Sequence, residues 1–183
     1  MQNYLPNRKT ARASWHNYNH ADYFVTICTK NRGQYFGSVV NGEIHLTRIG
    51  QYLWQQLTNV QSHYPYAEIP LFVIMPDHVH LIVSVHHEDA ARDTPTMTDA
   101  ARDVPTTVTT VTGKNDKMRH VANKQGWLSV CVGGIKSAVT KYANENKIPF
   151  AWQSRFHDRI IRNNDEKQRI AKYIQNNPAN WTL

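Results

Sequence analysis

The sequence predicts a single globular domain of the α+β class, because strand patterns and helix patterns both occur along its 183 residues. β-Branched and aromatic residues concentrate in short runs, of which the longest covers residues 72–85. Asn41-Gly42, between two such runs, is a strong short-range signal for a β-hairpin. Apolar residues recur at helical spacing over residues 49–64 and 135–146. A hydrophobic content of 40% is sufficient for a substantial core in a chain of this length.

Net charge and hydropathy indicate which kinds of partner the protein can have. The net charge is +7, and acidic residues concentrate in residues 86–113, so the rest of the chain is more basic than the total indicates. A basic protein of this kind favours a polyanionic partner such as nucleic acid. No segment approaches the roughly 20 apolar residues of a membrane span, so we expect no membrane association.

Cysteine usage and the N-terminal residues predict a cytoplasmic, nucleoid-associated protein. Cys28 lies in an apparent strand, is expected to be a buried thiol and forms no Cys-x-x-Cys pair with Cys131. Residues 1–6 lack the apolar segment of a signal peptide. Residues 1–20 are interpreted as a basic arm, which either is loosely held or lies on the phosphates of a nucleic acid.

Local patterns predict the elements of the first half. Residues 23–29 form a strand, and residues 35–46 form the hairpin. Thr47 is expected to cap a helix over residues 49–64. The side chains that recur at helical spacing in this helix should face the core, namely Ile49, Leu53, Trp54 and Leu57.

A different composition separates the two halves between residues 86 and 126. The octapeptide that begins at Asp89 recurs at Asp99 with one change, and a Thr- and Val-rich stretch follows. Low complexity with Pro and Thr predicts a flexible surface insertion. A docking loop for a partner is the alternative.

The second half begins with a short apolar segment over residues 127–131. Gly133-Gly134 is expected to lead into a helix from Ile135 to about Asn146. The remaining predicted elements are a last strand over residues 156–162, a cap at Asn163 or Asn164, and a final helix that Pro178 ends.

His78 and His80 are the first candidate functional residues. They lie in a predicted strand, where successive side chains point to opposite faces, so both imidazoles share one face and Val79 points to the other. Two imidazoles a few ångströms apart on a rigid strand can bind one metal ion. The alternative is two half-exposed histidines on the polar face of an amphipathic strand.

Tyr173 and Asn177, in the final helix, form the second candidate group. They are four residues apart and therefore lie on one helical face. A tyrosine is a competent nucleophile when a metal polarises its target phosphate, and an amide oxygen can complete a ligand set begun by two histidines. Such a mixed set of nitrogen and oxygen ligands suits Mg²⁺ or Mn²⁺. The alternative for Tyr173 is a packed ring with a solvated hydroxyl, and Tyr142 is a rival nucleophile.

These candidates belong to a series of short motifs that spans nearly the whole chain from about residue 12. The motifs are Tyr23-Phe24-Val25-Thr26-Ile27-Cys28-Thr29, Phe36-Gly37, Asn41-Gly42-Glu43, Met75-Pro76-Asp77-His78-Val79-His80, Ile135-Lys136-Ser137-Ala138-Val139-Thr140, Trp152-Gln153, Arg159-Ile160-Ile161-Arg162-Asn163, Tyr173-Ile174 and Asn177-Pro178. In this order they resemble the REP-associated tyrosine transposases, relatives of the single-tyrosine HUH transposases of small insertion sequences. The insertion at residues 86–113 looks long for that family.

The resemblance implies a ferredoxin-like or RRM-like fold, in which helices pack on an antiparallel sheet. His78 and His80 would be the His-hydrophobic-His pair on a central strand, and Tyr173 would be the nucleophile on the C-terminal helix. Asn177 would be the amide ligand of the Mg²⁺ or Mn²⁺ ion. The implied activity is the cleavage and rejoining of single-stranded or hairpin DNA through a 5′-phosphotyrosine link, by a monomer or a homodimer.

Basic residues are expected to contact the DNA backbone, namely Arg8, Lys9, Arg12, Lys136, Arg155, Arg159 and Arg162. Two other functions compete with this interpretation. One is a Zn²⁺ hydrolase that uses His157 or Asp158 as a third ligand and water as the nucleophile. The other is a non-catalytic module that binds DNA or RNA through its basic surface alone.

Overall fold

The computed structural model describes residues 20–86 and 126–181. The predictions for the N-terminal arm, including Arg8, Lys9 and Arg12, lie outside the described residues. Of the insertion predicted over residues 86–126, residues 87–125 also lie outside the described residues.

A four-stranded antiparallel sheet with helices on both faces forms the body of the protein. The strands are β1 (His20–Cys28), β2 (Gly37–Val40), β3 (Glu43–Leu46), β4 (Ala67–Ile74), β5 (His78–His86) and β6 (His157–Ile160). The helices are α1 (Arg48–Thr58), α2 (Val60–His63), α3 (Trp127–Glu145) and α4 (Asn164–Asn176), and a 3-10 turn covers Lys30–Arg32. The sheet has the order β4-β5-β1-β6, and β2 and β3 pair separately as a hairpin. Apart from this hairpin, the chain runs strand-helix-strand-strand-helix-strand, which is the ferredoxin-like arrangement and confirms the predicted fold class.

The main core lies on one face of this sheet. Alternate residues of β1 and β5 point to it, so Tyr23 and Val25 pack beside Val83 and Leu81. Helices α1 and α3 cover this face with buried side chains, among them Leu53, Leu57, Leu128, Ile135 and Val139. Burial of these side chains is the main stabilising contribution to the fold.

A smaller apolar cluster on the other face anchors α4. It consists of Ile82 of β5, Ile161 after β6 and Ile174 of α4, and Ile174 is fully buried. Phe24 and Ile170 pack around it. The sheet therefore separates its large core from the face that carries the C-terminal helix.

Several local predictions are confirmed. Asn41 and Gly42 have φ values of 53° and 79°, as expected for the tight turn of the hairpin. The hydroxyl of Thr47 accepts a hydrogen bond from the backbone N–H of Gly50 and caps α1. The side-chain oxygen of Asn163 accepts one from the N–H of Glu166 and caps α4. No helix in the two described ranges is both long enough and apolar enough to cross a membrane.

The helix expected over residues 49–64 is shorter than predicted. It ends at Thr58, and the separate helix α2 follows after Asn59. The expectation that Trp54 faces the core is wrong, since 50% of this residue is exposed. Leu53 and Leu57 are buried on the core-facing side of α1, and Trp54 is one residue, or about 100°, away from Leu53 around the helix.

The helix expected from Ile135 begins eight residues earlier, at Trp127, so the prediction of a separate apolar segment is wrong. Gly133 and Gly134 lie inside this helix instead of leading into it. A Cβ atom on Gly134 would lie only 1.6 Å from the hydroxyl oxygen of Tyr64. Gly134 is therefore explained by close packing and not by a turn.

Candidate active site

His78 and His80 lie on the face of the sheet that carries α4. They are on β5, with Val79 between them pointing into the main core, as the alternation of strand side chains predicts. Both are buried, with 6% of His78 and 7% of His80 exposed, and their ring centroids are 4.5 Å apart. The pair is therefore held rigidly and close together, and the alternative of two half-exposed histidines is wrong.

Each imidazole is held by its Nδ1 atom. Nδ1 of His78 lies 2.5 Å from a carboxylate oxygen of Asp77, and Nδ1 of His80 lies 2.9 Å from the hydroxyl oxygen of Thr26. A carboxylate only accepts hydrogen bonds, so Nδ1 of His78 donates and its Nε2 keeps a free lone pair. Fixing a histidine at one nitrogen so that the other can ligate is the usual arrangement around protein metal sites.

The electrostatics of the pair favour neutral rings. Burial lowers the pKa of His80 to about 4, and the neighbouring His78 adds to the shift. Burial also lowers the pKa of His78, although the hydrogen bond and the charge of Asp77 oppose this. A neutral imidazole is the form that binds a metal ion, so both residues fit a divalent metal.

Tyr173 reaches the histidines from α4. Its hydroxyl oxygen lies 3.2 Å from Nε2 of His80, and its ring meets Phe24 edge-on at a centroid distance of 6.0 Å. Half of the residue Tyr173 is exposed, and its hydroxyl lies beside the buried pair. The sequence therefore identified two groups, separated by more than ninety positions, that the fold brings into contact within one chain.

Two ion pairs fix the helix that carries Tyr173. Lys167 donates to the carboxylate of Asp22 on β1 at 2.7 Å, and Glu166 pairs with Arg159 on β6. With the buried Ile174, these contacts hold α4 on the sheet at both of its ends. The position of the Tyr173 hydroxyl is therefore set by the packing of the whole helix.

The rival Tyr142 is placed differently. It lies on α3, which packs on the opposite face of the sheet from the histidine pair. Its ring stacks on Tyr52 of α1 at a centroid distance of 4.1 Å. This packing contact accounts for Tyr142 without a role at the site.

Asn177 lies at the C-terminal cap of α4, one turn beyond Tyr173. Its part in a metal site stays a prediction. Trp181, which sequence reasoning missed, follows shortly after, and its ring lies 5.9 Å from that of His78. No pattern in the sequence indicated this contact, because it depends on how the chain folds back after α4.

The third ligands suggested for a Zn²⁺ hydrolase are not brought to the pair. In the sheet register, His157 faces Thr26, which in turn faces His80, so His157 is two strands away from His80. Asp158 points to the other face of the sheet. Across residues 20–86 and 126–181, no group of three His, Cys, Asp or Glu side chains could hold a metal ion.

The described members of the predicted DNA-contact set lie in two pairs, and some have partners within the chain. Lys136 also lies 3.4 Å from the carbonyl oxygen of Arg155, and Glu166 bonds both the N–H of Arg162 and the side chain of Arg159. The ammonium of Lys136 donates to the carbonyl oxygen of Gln153 at 2.7 Å and lies over the ring of Trp152. Arg159 pairs with Glu166, as described above. Arg155 and Arg162 are exposed at the two ends of the β6 segment. Their contacts with DNA stay predictions.

Asp77, Thr26 and Arg32 are further residues of the site that sequence reasoning missed. The only available signal was the position of Asp77 directly before His78, since histidine ligands commonly bond a carboxylate. Arg32 forms an ion pair with Asp77 at 2.9 Å from a different segment of the chain. Sequence spacing gave no indication of that contact.

Comparison with known proteins places the chain in a family. No family model matches it. An uncharacterized protein of Haemophilus influenzae strain Rd is 30% identical over an alignment of 186 positions that covers 97% of this chain and 91% of that protein. Among solved structures, a REP-associated tyrosine transposase bound to a REP hairpin has a TM-score of 0.51 and 19% identity, over 93% of this chain and 76% of that chain. A candidate transposase from Deinococcus radiodurans R1 has a TM-score of 0.39 and 15% identity, over 91% of this chain and 97% of that chain, and is a more distant likeness. The chain therefore belongs to one family with the Haemophilus influenzae protein, and its fold is that of a REP-associated tyrosine transposase.

Proposed function

We propose that this protein is a transposase-like enzyme that cleaves and rejoins single-stranded DNA at hairpin-forming sequences through a 5′-phosphotyrosine link. The observation that carries the proposal is the 3.2 Å distance between the Tyr173 hydroxyl and Nε2 of His80. It unites a half-exposed tyrosine with a buried pair of histidines in a single chain. Both halves of the site come from one chain, which favours action as a monomer over action as a homodimer.

His78 and His80 would hold a divalent metal ion, Mg²⁺ or Mn²⁺, and Asn177 would supply an amide oxygen. The fit rests on Nδ1 of each ring being held by an oxygen and on the preference of both rings for the neutral state. When bound, such an ion polarises a phosphate oxygen and stabilises the charge that develops during transfer.

Tyr173 would perform the transfer itself. Its phenolic oxygen loses its proton to solvent and attacks the phosphorus, which forms the tyrosine-phosphate bond and breaks the bond to the 3′ oxygen. The leaving 3′ oxygen takes up a proton and becomes a free hydroxyl. In rejoining, another 3′ hydroxyl attacks the same phosphorus and releases Tyr173. The phosphodiester energy is conserved throughout, so no nucleotide cofactor is required.

The partner proposed is hairpin DNA with single-stranded flanks. The net charge of +7 favours a polyanion. The structural neighbour with the same fold is bound to a REP hairpin, which supports the same class of substrate here. Arg155 and Arg162 are exposed at the two ends of β6 and are the proposed backbone contacts.

Covalent trapping tests the proposal. The full chain is incubated with end-labelled hairpin DNA from the flanks of its own gene and Mn²⁺, and a denaturing gel resolves any protein-DNA adduct. An adduct with the wild type, its loss in Tyr173→Phe and its persistence in the matched control Tyr142→Phe are expected. Cleavage without an adduct would assign the attack to water and support a hydrolase, whereas binding without cleavage would support a non-catalytic binding module.

A further inference from the structure

Asp77 connects the histidine pair to an exposed arginine. One carboxylate oxygen lies 2.5 Å from Nδ1 of His78, and the other lies 2.9 Å from Nε of Arg32. The carboxylate is 6% exposed and the side chain of Arg32 59% exposed. The three residues thus form a continuous chain of charge-assisted contacts from the surface to the buried pair.

We propose that Asp77 is a positioning residue that sets the orientation and the ligand strength of His78, and that Arg32 holds Asp77 in place for this purpose. The proposal rests on the metal-binding role proposed for His78. A carboxylate on Nδ1 fixes the tautomer with the proton on that atom and makes Nε2 a stronger donor. With both carboxylate oxygens engaged, Asp77 cannot rotate away from His78 without losing the bond to Arg32.

The backbone around Asp77 is held from two directions. The N–H and the hydroxyl of Thr29 both donate to the carbonyl oxygen of Asp77, each at 2.9 Å. The N–H of Phe36 donates to the carbonyl oxygen of Pro76 at 3.0 Å. The carboxylate therefore projects from a rigid segment, which a residue that orients another side chain requires.

The turn that presents Arg32 is unusual in its backbone. Asn31 and Arg32 have φ values of 55° and 56°, in the left-handed region that non-glycine residues seldom adopt. Such conformations are retained where the surrounding contacts compensate for the strain. Here, Arg32 bonds Asp77 through Nε and donates from Nη1 to the sulfur of Cys28 at 3.4 Å. The strained turn thus places the guanidinium of Arg32 against the Asp77 carboxylate that bonds His78.

A purely structural ion pair would stabilise the loop without affecting the metal. Two measurements on the purified full chain separate the roles, namely Mn²⁺ affinity by calorimetry and the His78 tautomer by nitrogen NMR of the metal-free protein. In Asp77→Ala we expect Mn²⁺ affinity to fall by about 10–100-fold and the single His78 tautomer to be replaced by a mixture. Arg32→Ala, at a side chain that is 59% exposed, should produce a smaller change in the same direction.

Glu145→Gln is the control. Glu145 also forms an ion pair, with Lys141, but on α3, which packs on the opposite face of the sheet from the histidine pair, so this variant should leave the Mn²⁺ affinity and the His78 tautomer unchanged. An unchanged tautomer in both Asp77→Ala and Arg32→Ala would overturn the proposal, even if stability falls. A wild type that binds no Mn²⁺ would overturn the metal site of the proposed function, and the tautomer measurement would then decide the positioning role of Asp77 by itself.

Discussion

The hydroxyl of Tyr173 rests on Nε2 of His80, 3.2 Å away, which is the nitrogen that a metal ion would use. Nδ1 of the same ring is already engaged by Thr26. When the ring proton is on Nδ1, the hydroxyl of Tyr173 and a metal ion compete for the one lone pair of Nε2. Binding of a metal ion would free the phenol from the histidine and leave it available for attack on a phosphate.

Removal of the metal should abolish chemistry without abolishing DNA binding. Addition of EDTA or the substitution His80→Ala is expected to lower adduct yield by about 100-fold or more, the size of effect seen when one preorganised electrostatic group is lost. Hairpin affinity should stay near that of the wild type, because it depends on basic residues outside the pair. Gel-based adduct yield and filter binding in one buffer measure both quantities. Full adduct yield in EDTA would contradict the prediction.

At acid pH, protonation of Glu166 should weaken the attachment of α4 to the sheet. The hydrogen bond from the N–H of Arg162, together with the charge of Arg159, lowers the pKa of this carboxyl from its usual value of 4.5. A group whose folded-state pKa is lowered stabilises the fold above its unfolded pKa, and this contribution is lost as the pH falls through the folded pKa. Glu166→Gln should therefore destabilise the protein at pH 7 but much less at pH 3. Thermal unfolding at the two pH values measures the difference, and an equal effect at both would count against the role of this carboxylate.

Ile174 should be the main apolar anchor of the tyrosine helix. It is fully buried against Ile82 and Ile161, so Ile174→Ala is expected to lower the free energy of unfolding by about 2–4 kcal/mol. The exposed neighbour Lys172 is the control, and Lys172→Ala should change the free energy of unfolding by less than about 0.5 kcal/mol. Urea denaturation measures both variants. A loss from Ile174→Ala no larger than that of the control would show that α4 is held chiefly by its ion pairs.

The adjacent glycines of α3 should respond oppositely to substitution. A Cβ atom on Gly133 meets no atom within 4 Å, so Gly133→Ala should stabilise the helix by about 0.5–1 kcal/mol. A Cβ atom on Gly134 would collide with the Tyr64 ring, so Gly134→Ala should destabilise by about 1–3 kcal/mol unless the ring moves. Urea denaturation of the two variants decides the matter, and equal stabilisation by both would mean that Tyr64 yields without cost.

Local rules predicted much of the fold and part of the site. Turn and cap chemistry identified the hairpin at Asn41-Gly42 and the cap at Thr47, because such signals depend on neighbouring residues alone. Strand alternation predicted that His78 and His80 share a face. The same kind of reasoning failed at Gly134, where adjacent glycines suggested a helix start although the cause is a contact with the distant Tyr64.

The missed parts of the site have a common physical origin. Arg32 meets Asp77, and Trp181 meets His78, only after the chain has folded, so no local pattern marks either contact. Trp54 was misplaced because helical spacing identifies an apolar stripe but not where the neighbouring elements end. The positions of these side chains depend on tertiary contacts, which local sequence patterns do not specify.

The pairing of β1 with β5 links core formation to the geometry of the site. In the observed register, Thr26 faces His80 and Cys28 faces His78. Because strand side chains alternate, a slip of one residue along β5 would turn Val79 toward α4 and push both histidines into the apolar core. Such misaligned sheets would be strongly disfavoured by the cost of burying imidazoles among hydrocarbons. A chain that has buried its hydrophobic residues in this register has therefore also placed both histidines on the face that receives α4.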